Sequence, residues 1–393
     1  VAKVRLKRNE EKRLQAGHPW VYRTEIEEIY GPFEPGDIVE VEDSRGKFIG
    51  RGYINPASMI TVRLLTYERA EEINEAFWRR RLSAAWNYRQ KVLQGADTDS
   101  CRVVFGEADF LPGFIVDKFG PYLVVQSLAL GIDRFQETLV KLLDELIQPE
   151  GIYERSDAAV RKLEGLELRT GFLKGNFDPV VIIRENGIRF YVDIAQGQKT
   201  GYFLDQRENR AAIRPLVAGA RVLDCFCHTG SFSVHAARYG AREVLGLDIS
   251  EKAIEMARRN AALNGYEDIC SFKVANVFDA LREMERSGER YDVVILDPPA
   301  FVKSRKALEG AIRGYKEINL RAMKLLPPGG FLVTCSCSYH MPEDLFLKVV
   351  FSAARDARRR LRLLARRGQA ADHPVLFGYE ESSYLKCLFL QVI

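Results

Sequence analysis

The chain has 393 residues, 47% hydrophobic and 28% charged, with 58 Lys and Arg against 54 Asp and Glu. That length exceeds one ordinary core and predicts two or three domains. No apolar run approaches a membrane span, and the charged start VAKVRLKRNEEKR lacks the apolar core of a secretion signal.

Seven cysteines, an odd count, point to reduced thiols in a cytoplasmic protein rather than a disulfide framework. The net charge of +4 is small but unevenly spread. Residues 1–13 hold six Lys or Arg, WRRRL at 78–82 holds three Arg, and RDARRRLRLLARR at 355–367 holds seven Arg against one Asp. Such clusters can meet phosphates, and each can equally be a solvated helix face.

In chain order, VRLKR, GDIVEVED, FIGRGYI and MITVRLL predict short strands between turns, a small β-barrel-like module over residues 1–72. A helix is predicted from about 71 to 94, with Phe77, Leu82, Trp86 and Val92 on its apolar stripe. Strands return at CRVVFG, GFIVDKF and YLVVQSL. Asp133 and Gln136 have the spacing of a capping box, ahead of a helix faced by Phe135, Leu139, Leu142, Leu143 and Leu146. VVIIRENGIRFYVDI predicts a hairpin turning at Asn186-Gly187. Residues 73–190 thus read as an α+β middle domain. From 191 to 393, apolar runs (ARVLDCFC, EVLGLDIS, CSFKVANVFD, YDVVILDPP, FLVTCSCS) alternate with helices. That alternation predicts a doubly wound, Rossmann-like α/β sheet of parallel strands.

Ligands of such sheets lie beyond the carboxyl ends of the strands, where the polar motifs fall here. DCFCHTGSF at 224–232 is a carboxylate, a turn and a glycine before a helix, but not the dinucleotide pattern G-x-G-x-x-G. The second strand ends at Asp248, where a carboxylate can accept ribose hydroxyls. The third leads to Asn276 and Asp279, where an adenine edge can be bonded, and the fourth ends in DPPAF at 297–301. The Pro-Pro step holds the backbone extended and presents Asp297 and its neighbours rigidly.

In this order the motifs resemble those of the class I S-adenosylmethionine-dependent methyltransferases. GQKTGYFLDQREN at 197–209 narrows the resemblance to the bacterial 5-methylcytosine methyltransferases of large-subunit ribosomal RNA. GHPWVY at 17–22 is similar to the start of that family's RNA-binding PUA domain. EADFLPGFIVDKFG, YERSD and RKLEGL are similar to its middle domain, and QAADHPV and YLKC to its C-terminal signature. The resemblance implies S-adenosyl-L-methionine as cofactor and ribosomal RNA as partner. Asp224 and Gly230 would shape the methionine end of the pocket, Asp248 would bind the ribose and Asn276 the adenine. Asn276 stands where Asp is more usual. Lys199 and Arg207 would lie in a loop closing over the cofactor, either one suited to its carboxylate; as bare sequence both also read as surface charge. No metal and no membrane partner are expected, and a homodimer is compatible with the sequence.

TCSCS at 334–338 carries the chemistry. Carbon 5 of cytosine is too weak a nucleophile to take a methyl group unaided. A thiolate adding to carbon 6 makes it enamine-like, and the thiol is later expelled. On a strand, Cys335 and Cys337 point to one side, with Cys337 about 7 Å nearer the loop. Placement and resemblance, through Ser336-Cys337-Ser338, both select Cys337, with Cys335 as buried support. As isolated features, both cysteines read as small core residues. Asp297 would bond ring nitrogen 3 or the amino group of the base, flanked by Pro298, Pro299 and Phe301. Ala300 separates the prolines from Phe301, unlike the pattern of exocyclic-amine methyltransferases, and the base for the carbon 5 proton is unassigned. Cys225 and Cys227 form a second C-x-C, a spacing shorter than that usual for zinc. Two other readings stay open: methylation of a guanine or adenine amine, and a non-catalytic RNA-binding protein with a methyltransferase-like fold.

Overall fold

The computed structural model describes residues 1–93, 95, 97–301 and 307–393. They cluster into two compact units: Val1–Ile183, Val192–Leu204 and Ala371–Ser382, and then Arg184–Tyr191, Asp205–Ala370 and Ser383–Ile393.

The first unit begins with β1 (Lys3–Leu6), α1 (Glu11–Gln15), β2 (Trp20–Tyr22), β3 (Ile26–Tyr30), β4 (Ile38–Glu42), β5 (Phe48–Ile54) and β6 (Ile60–Thr66). The six strands form one sheet in the order β2-β6-β5-β4-β1-β3. Val4, Leu6, Val39, Val41 and Val62 fill its core. The sequence shows β1 and β4–β6 through alternation, but not β3 (IEEIY), whose two glutamates hide it. Glu28 sits opposite Arg5 in the β1–β3 ladder and pairs with it at 3.6 Å, so the charges support the strand instead of breaking it.

Helix α2 (Glu75–Val92) starts where the Asn74 side chain accepts the Phe77 amide N–H; Gln94, at the end of the predicted span, lies outside the described residues. Then come β7 (Cys101–Phe105), β8 (Phe114–Phe119), β9 (Tyr122–Ser127), α3 (Leu130–Arg134), α4 (Gln136–Ile147), β10 (Gly151–Ser156), α5 (Val160–Leu163) and β11 (Arg169–Lys174). The five strands run β11-β10-β9-β8-β7. Leu139, Leu142 and Leu143 are buried against them, as the α4 periodicity predicts.

Two local expectations are corrected. Asp133 does not cap α4: it lies in α3, and the position before α4 is Phe135, with no side-chain cap. Its carboxylate instead accepts from Arg161 at 2.8 Å and Arg169 at 2.7 Å. Two cations from elsewhere in the chain outcompete one local amide. Nor is WRRRL an open basic face. Trp78 is buried, Arg79 pairs with Glu75 and Glu145, and Arg80 and Arg81 pair with Glu71.

The hairpin β12 (Val180–Glu185) and β13 (Ile188–Asp193) turns at Asn186 and Gly187 with φ of 52° and 75°, the left-handed pair that a two-residue hairpin requires. The second unit continues with α6 (Arg207–Ala212), α7 (Arg214–Val217), β14 (Arg221–Cys225), α8 (Ser231–Arg238), β15 (Glu243–Asp248), α9 (Glu251–Leu263), β16 (Cys270–Val274), α10 (Val277–Ser287), β17 (Val293–Leu296), α11 (Leu308–Leu325), β18 (Phe331–Ser336), α12 (Glu343–Asp356), β19 (Leu361–Arg367) and β20 (Lys386–Val392). Its sheet runs β16-β15-β14-β17-β18-β20-β19. The first five strands are parallel; β20 is antiparallel to both β18 and β19. The four residues of β17, VVIL, are all buried, the mark of a strand covered on both faces. The arginine run at 355–367 is no continuous helix face: it divides between the end of α12 and the edge strand β19. Among the described residues, no helix is long and apolar enough to cross a membrane.

RKLEGL has a structural explanation in the first unit. Glu164 is buried and accepts from Arg63 at 2.9 Å, Asn55 at 2.9 Å and Ser58 at 2.6 Å. Burial alone would raise its carboxyl, but the Arg63 charge and the hydroxyl and amide donors outweigh it and hold the group below the usual 4.5. A carboxyl lowered on folding stabilises the fold above that value, and the stabilisation fades as pH falls through the folded value. Glu164→Gln, which strands the buried Arg63 charge, is expected to cost about 3–5 kcal/mol in urea unfolding at pH 7. Its deficit against wild type should narrow on acidification; a loss below about 1 kcal/mol would refute this account.

Candidate functional site

Five parallel strands end on one rim of the second unit, and the strand order reverses between β14 and β17. β14 is followed outward by β15 and β16 on one side, and by β17 and β18 on the other. Crevices in such sheets open at this reversal. Asp224 lies there, opposite Ile295 of β17.

Asp224 is fully buried, and its Oδ2 accepts the Ser233 hydroxyl at 2.6 Å. Its Oδ1 has no hydrogen-bond partner among the described residues. Burial pushes this carboxyl up to about 7; Ser233 opposes the rise, while the charges of Asp297 and Asp248 add to it. A buried acceptor without a donor is costly, and sites keep such groups for a ligand.

The turn after β14 is strained in a way that shapes a cradle. Phe226 and His228 have φ of 62° and 48°, and Gly230 has 78°. The Cys227 amide donates to Leu247 O at 2.9 Å and the His228 amide to Asp248 Oδ2 at 2.9 Å, tying the turn to the end of β15. A Cβ at Gly230 would come within 3.0 Å of the Ala257 methyl and 3.1 Å of the Phe272 ring. Only glycine combines this φ with that closeness. Asp248 Oδ1 accepts the Ser250 amide at 2.9 Å, and Ser250 caps α9.

Asn276 is exposed, and its Oδ1 caps α10 by accepting the Phe278 amide at 3.0 Å. With its acceptor engaged, this side chain offers its amide N–H groups, a polarity opposite to that of an aspartate. Arg207 is buried at 4% exposure, so it is not the surface charge it could be on sequence alone. Lys199 is exposed, belongs to the first unit, and has its Nζ 4.6 Å from the Phe203 ring centre.

At the end of β17, Asp297 Oδ1 accepts from Gln206 Nε2 at 2.9 Å, and Gln206 is itself held by Asn209 at 2.7 Å. Sequence reasoning missed both. They lie in the GQKTGYFLDQREN segment, but nothing in a linear pattern says that an amide 91 positions away will reach Asp297. Pro298 is buried and Pro299 exposed. The Phe301 ring packs on Tyr315 at 4.7 Å and Phe278 at 5.8 Å.

The two thiols of TCSCS part company. Cys335 ends its side chain inside the sheet, fully buried, with Sγ 3.1 Å from that of Cys387, its cross-strand partner. Cys337 stands one residue past the end of β18, half-buried, with Sγ 3.9 Å from Pro298 O. Six of the seven cysteines are buried, and Cys337 is the one that is not. Around it lie Ser336, whose hydroxyl bonds Tyr315 at 3.0 Å, and Lys386 at the start of β20. Tyr315 and Lys386 were not singled out in the sequence; YLKC alone marked the place of the lysine. Among the described residues, no group of three or more His, Cys, Asp or Glu is arranged to hold a metal ion.

The second unit thus gathers Asp224, Gly230, Asp248, Asn276, Asp297, Pro298, Pro299, Phe301 and Cys337 at strand ends or in the segments directly after them; Arg207 opens α6 in the same unit. A raised carboxyl such as Asp224 destabilises the fold once ionised, so its cost grows as pH climbs from about 4 through 7. The melting-temperature difference between Asp224→Asn and wild type is therefore expected to move in the variant's favour from pH 5 to pH 8. Calorimetry at both values checks this, and a pH-independent difference would contradict it.

Residues 4–67 match the PUA-like domain family, and residues 157–387, more than half of the chain, match the S-adenosylmethionine-dependent methyltransferase family. Two proteins named ribosomal RNA large subunit methyltransferase I are each 43% identical, one from Tolumonas auensis over 393 residues and one from Shewanella amazonensis over 392. Each alignment covers 99% of both chains. A crystal structure of SMU.776 complexed with SAH superposes with a TM-score of 0.86 over 100% of both chains at 21% identity, a likeness of fold. The strand order, the cradle after β14 and these matches agree: the chain belongs to the S-adenosylmethionine-dependent methyltransferases, in the family of those ribosomal RNA large subunit methyltransferase I relatives, with a PUA-like domain ahead of the methyltransferase domain.

Proposed function

We propose that this protein methylates carbon 5 of a cytosine in large-subunit ribosomal RNA, with Cys337 as covalent nucleophile. The ribosomal substrate is supported by the names of the 43% identical relatives. The observation that carries the chemistry is the position of Cys337: the least buried of seven cysteines, at the end of a central strand, against the Asp-Pro-Pro turn.

S-adenosylmethionine supplies an electrophilic methyl group. The residues at the rim fit it. The unpartnered Asp224 Oδ1 suits an ammonium group, the Gly230 cradle admits close backbone approach, and Asp248 at the end of β15 suits ribose hydroxyls. Asn276 would meet the adenine edge through its amide N–H groups, and buried Arg207 is suited to a carboxylate. On the base, the Cys337 thiolate adds to carbon 6 and carbon 5 takes the methyl. The carbon 5 proton then leaves to a base, and the carbon–sulfur bond breaks to restore the ring and the thiolate. Asp297, oriented by Gln206, holds the ring nitrogen or amino edge in register, with Pro298, Pro299 and Phe301 lining the entry. The target has to leave its stack to reach the thiol. We assign the chain a PUA-like segment (1–72), a middle segment (73–190) and a catalytic segment (191–393), working in the cytoplasm.

Cys337→Ala is expected to lower methyl transfer to ribosomal RNA by about a thousandfold or more while S-adenosylhomocysteine binding changes less than about twofold. Mapping methylated cytosines in RNA from a deletion strain, complemented with wild type or with the variant, identifies the nucleotide. Retained activity in the variant would favour methylation of an exocyclic amine, and failure to bind the cofactor would favour a non-catalytic role.

A further inference from the structure

Lys386 is an unusual residue to find where it is. It opens β20, opposite Ser336 in the antiparallel ladder, and is 6% exposed. Buried lysines need acceptors. Its Nζ donates to the carbonyl of Ser338 at 2.5 Å and to that of Tyr384 at 2.7 Å. Ser338 directly follows Cys337, so the amine grips the loop that carries the thiol. Tyr384 is itself fixed, its hydroxyl donating to Asp205 at 2.5 Å. An ammonium has three N–H groups; two are taken by these carbonyls, and one remains for a neighbouring acceptor.

We propose that Lys386 is a positioning residue for Cys337: its ammonium anchors the loop that presents the thiol and supplies the positive charge that holds the sulfur as thiolate. This rests on the reading of Cys337 as nucleophile. An unassisted thiol is only a few per cent ionised at neutral pH, and a cation beside it is the usual remedy.

The electrostatics of the pocket agree. Burial lowers the lysine to about 8, and the charges of Cys337 and Glu343 oppose that fall. Tyr315 is pushed up to about 12 by burial, with the charges of Cys337 and Asp297 adding to the rise. Among the described residues, the charged or titratable groups around this site include Lys386 on β20, Tyr315 on α11, Asp297 after β17 and Glu343 at the start of α12, which pairs with Arg366 at 3.3 Å. The carboxylates disfavour a thiolate, and the Lys386 ammonium, held on the carbonyl of Ser338 next to the thiol, opposes them. At about 8 it is still mostly an ammonium at pH 7.

The proposal is tested without RNA. Because the other six cysteines are buried, iodoacetamide labelling of the native enzyme, followed by peptide mass spectrometry, reads Cys337 selectively. In wild type the pH midpoint of labelling should lie below the ordinary thiol value of about 8.5. In Lys386→Met the midpoint should rise by about one unit and labelling at pH 7 should slow about tenfold. Lys386→Arg should restore most of the low-pH reactivity. A simple structural strut would change melting temperature without moving the midpoint. Equal midpoints in wild type and Lys386→Met overturn the proposal. So does a wild-type midpoint at or above the ordinary value, a reading that stands even if the methionine variant fails to fold. The nucleophile reading fails on a separate result, methylation retained in Cys337→Ala.

Discussion

A parallel sheet covered on both faces leaves its polar chemistry one place to go. The strands β14, β17 and β18 are buried along nearly their whole length, and their backbone groups are consumed by the ladders. What remains is the rim where the chain leaves each strand. Asp224, Asp248, Asp297 and Cys337 come from four different strands and 114 positions of sequence, yet each falls at that rim. The geometry of the site depends on this constraint.

Two buried carboxylates show how such a protein separates stability from function. Glu164 is surrounded by donors and a buried arginine, and holds its own unit together. Asp224 has one donor for two oxygens and two acidic neighbours, an arrangement that stability alone would not select. A fully satisfied buried charge reads as structural, and a half-satisfied one marks a candidate ligand site. The same contrast separates Cys335, packed against Cys387, from Cys337 two residues on.

Two histidine-bearing segments are scaffolding in space. In ADHPV, the Asp372 carboxylate accepts the Arg102 amide at 2.9 Å and its carbonyl accepts from Arg89 at 2.9 Å, while the His373 ring lies 5.3 Å from that of Phe105. These contacts fasten residues 371–382 within the first unit. His235 is fully buried, lowered to about 4 mainly by burial, and bonded to Ser231 O and Asn186. It is a neutral packing residue of α8.

The sequence by itself determined the alternation of apolar runs and helices in the second unit, the hairpin at Asn186-Gly187 and the rim motifs, because these follow from local periodicity and turn chemistry. It also favoured Cys337, since a two-residue repeat sets how far along a strand each thiol lies. Only the tertiary structure decided the partners. Arg161 and Arg169 claim Asp133 away from its expected cap, Glu71 and Glu75 neutralise Arg79–Arg81, and Gln206 reaches Asp297. It likewise turned the arginine run at 355–367 partly into an edge strand and, through the antiparallel pairing of β20 on β18, set the Lys386 amine on the carbonyl of Ser338, the residue after Cys337. Such pairings join residues tens to hundreds of positions apart. Their energy depends on distance and burial in space, quantities that no local pattern of residues encodes.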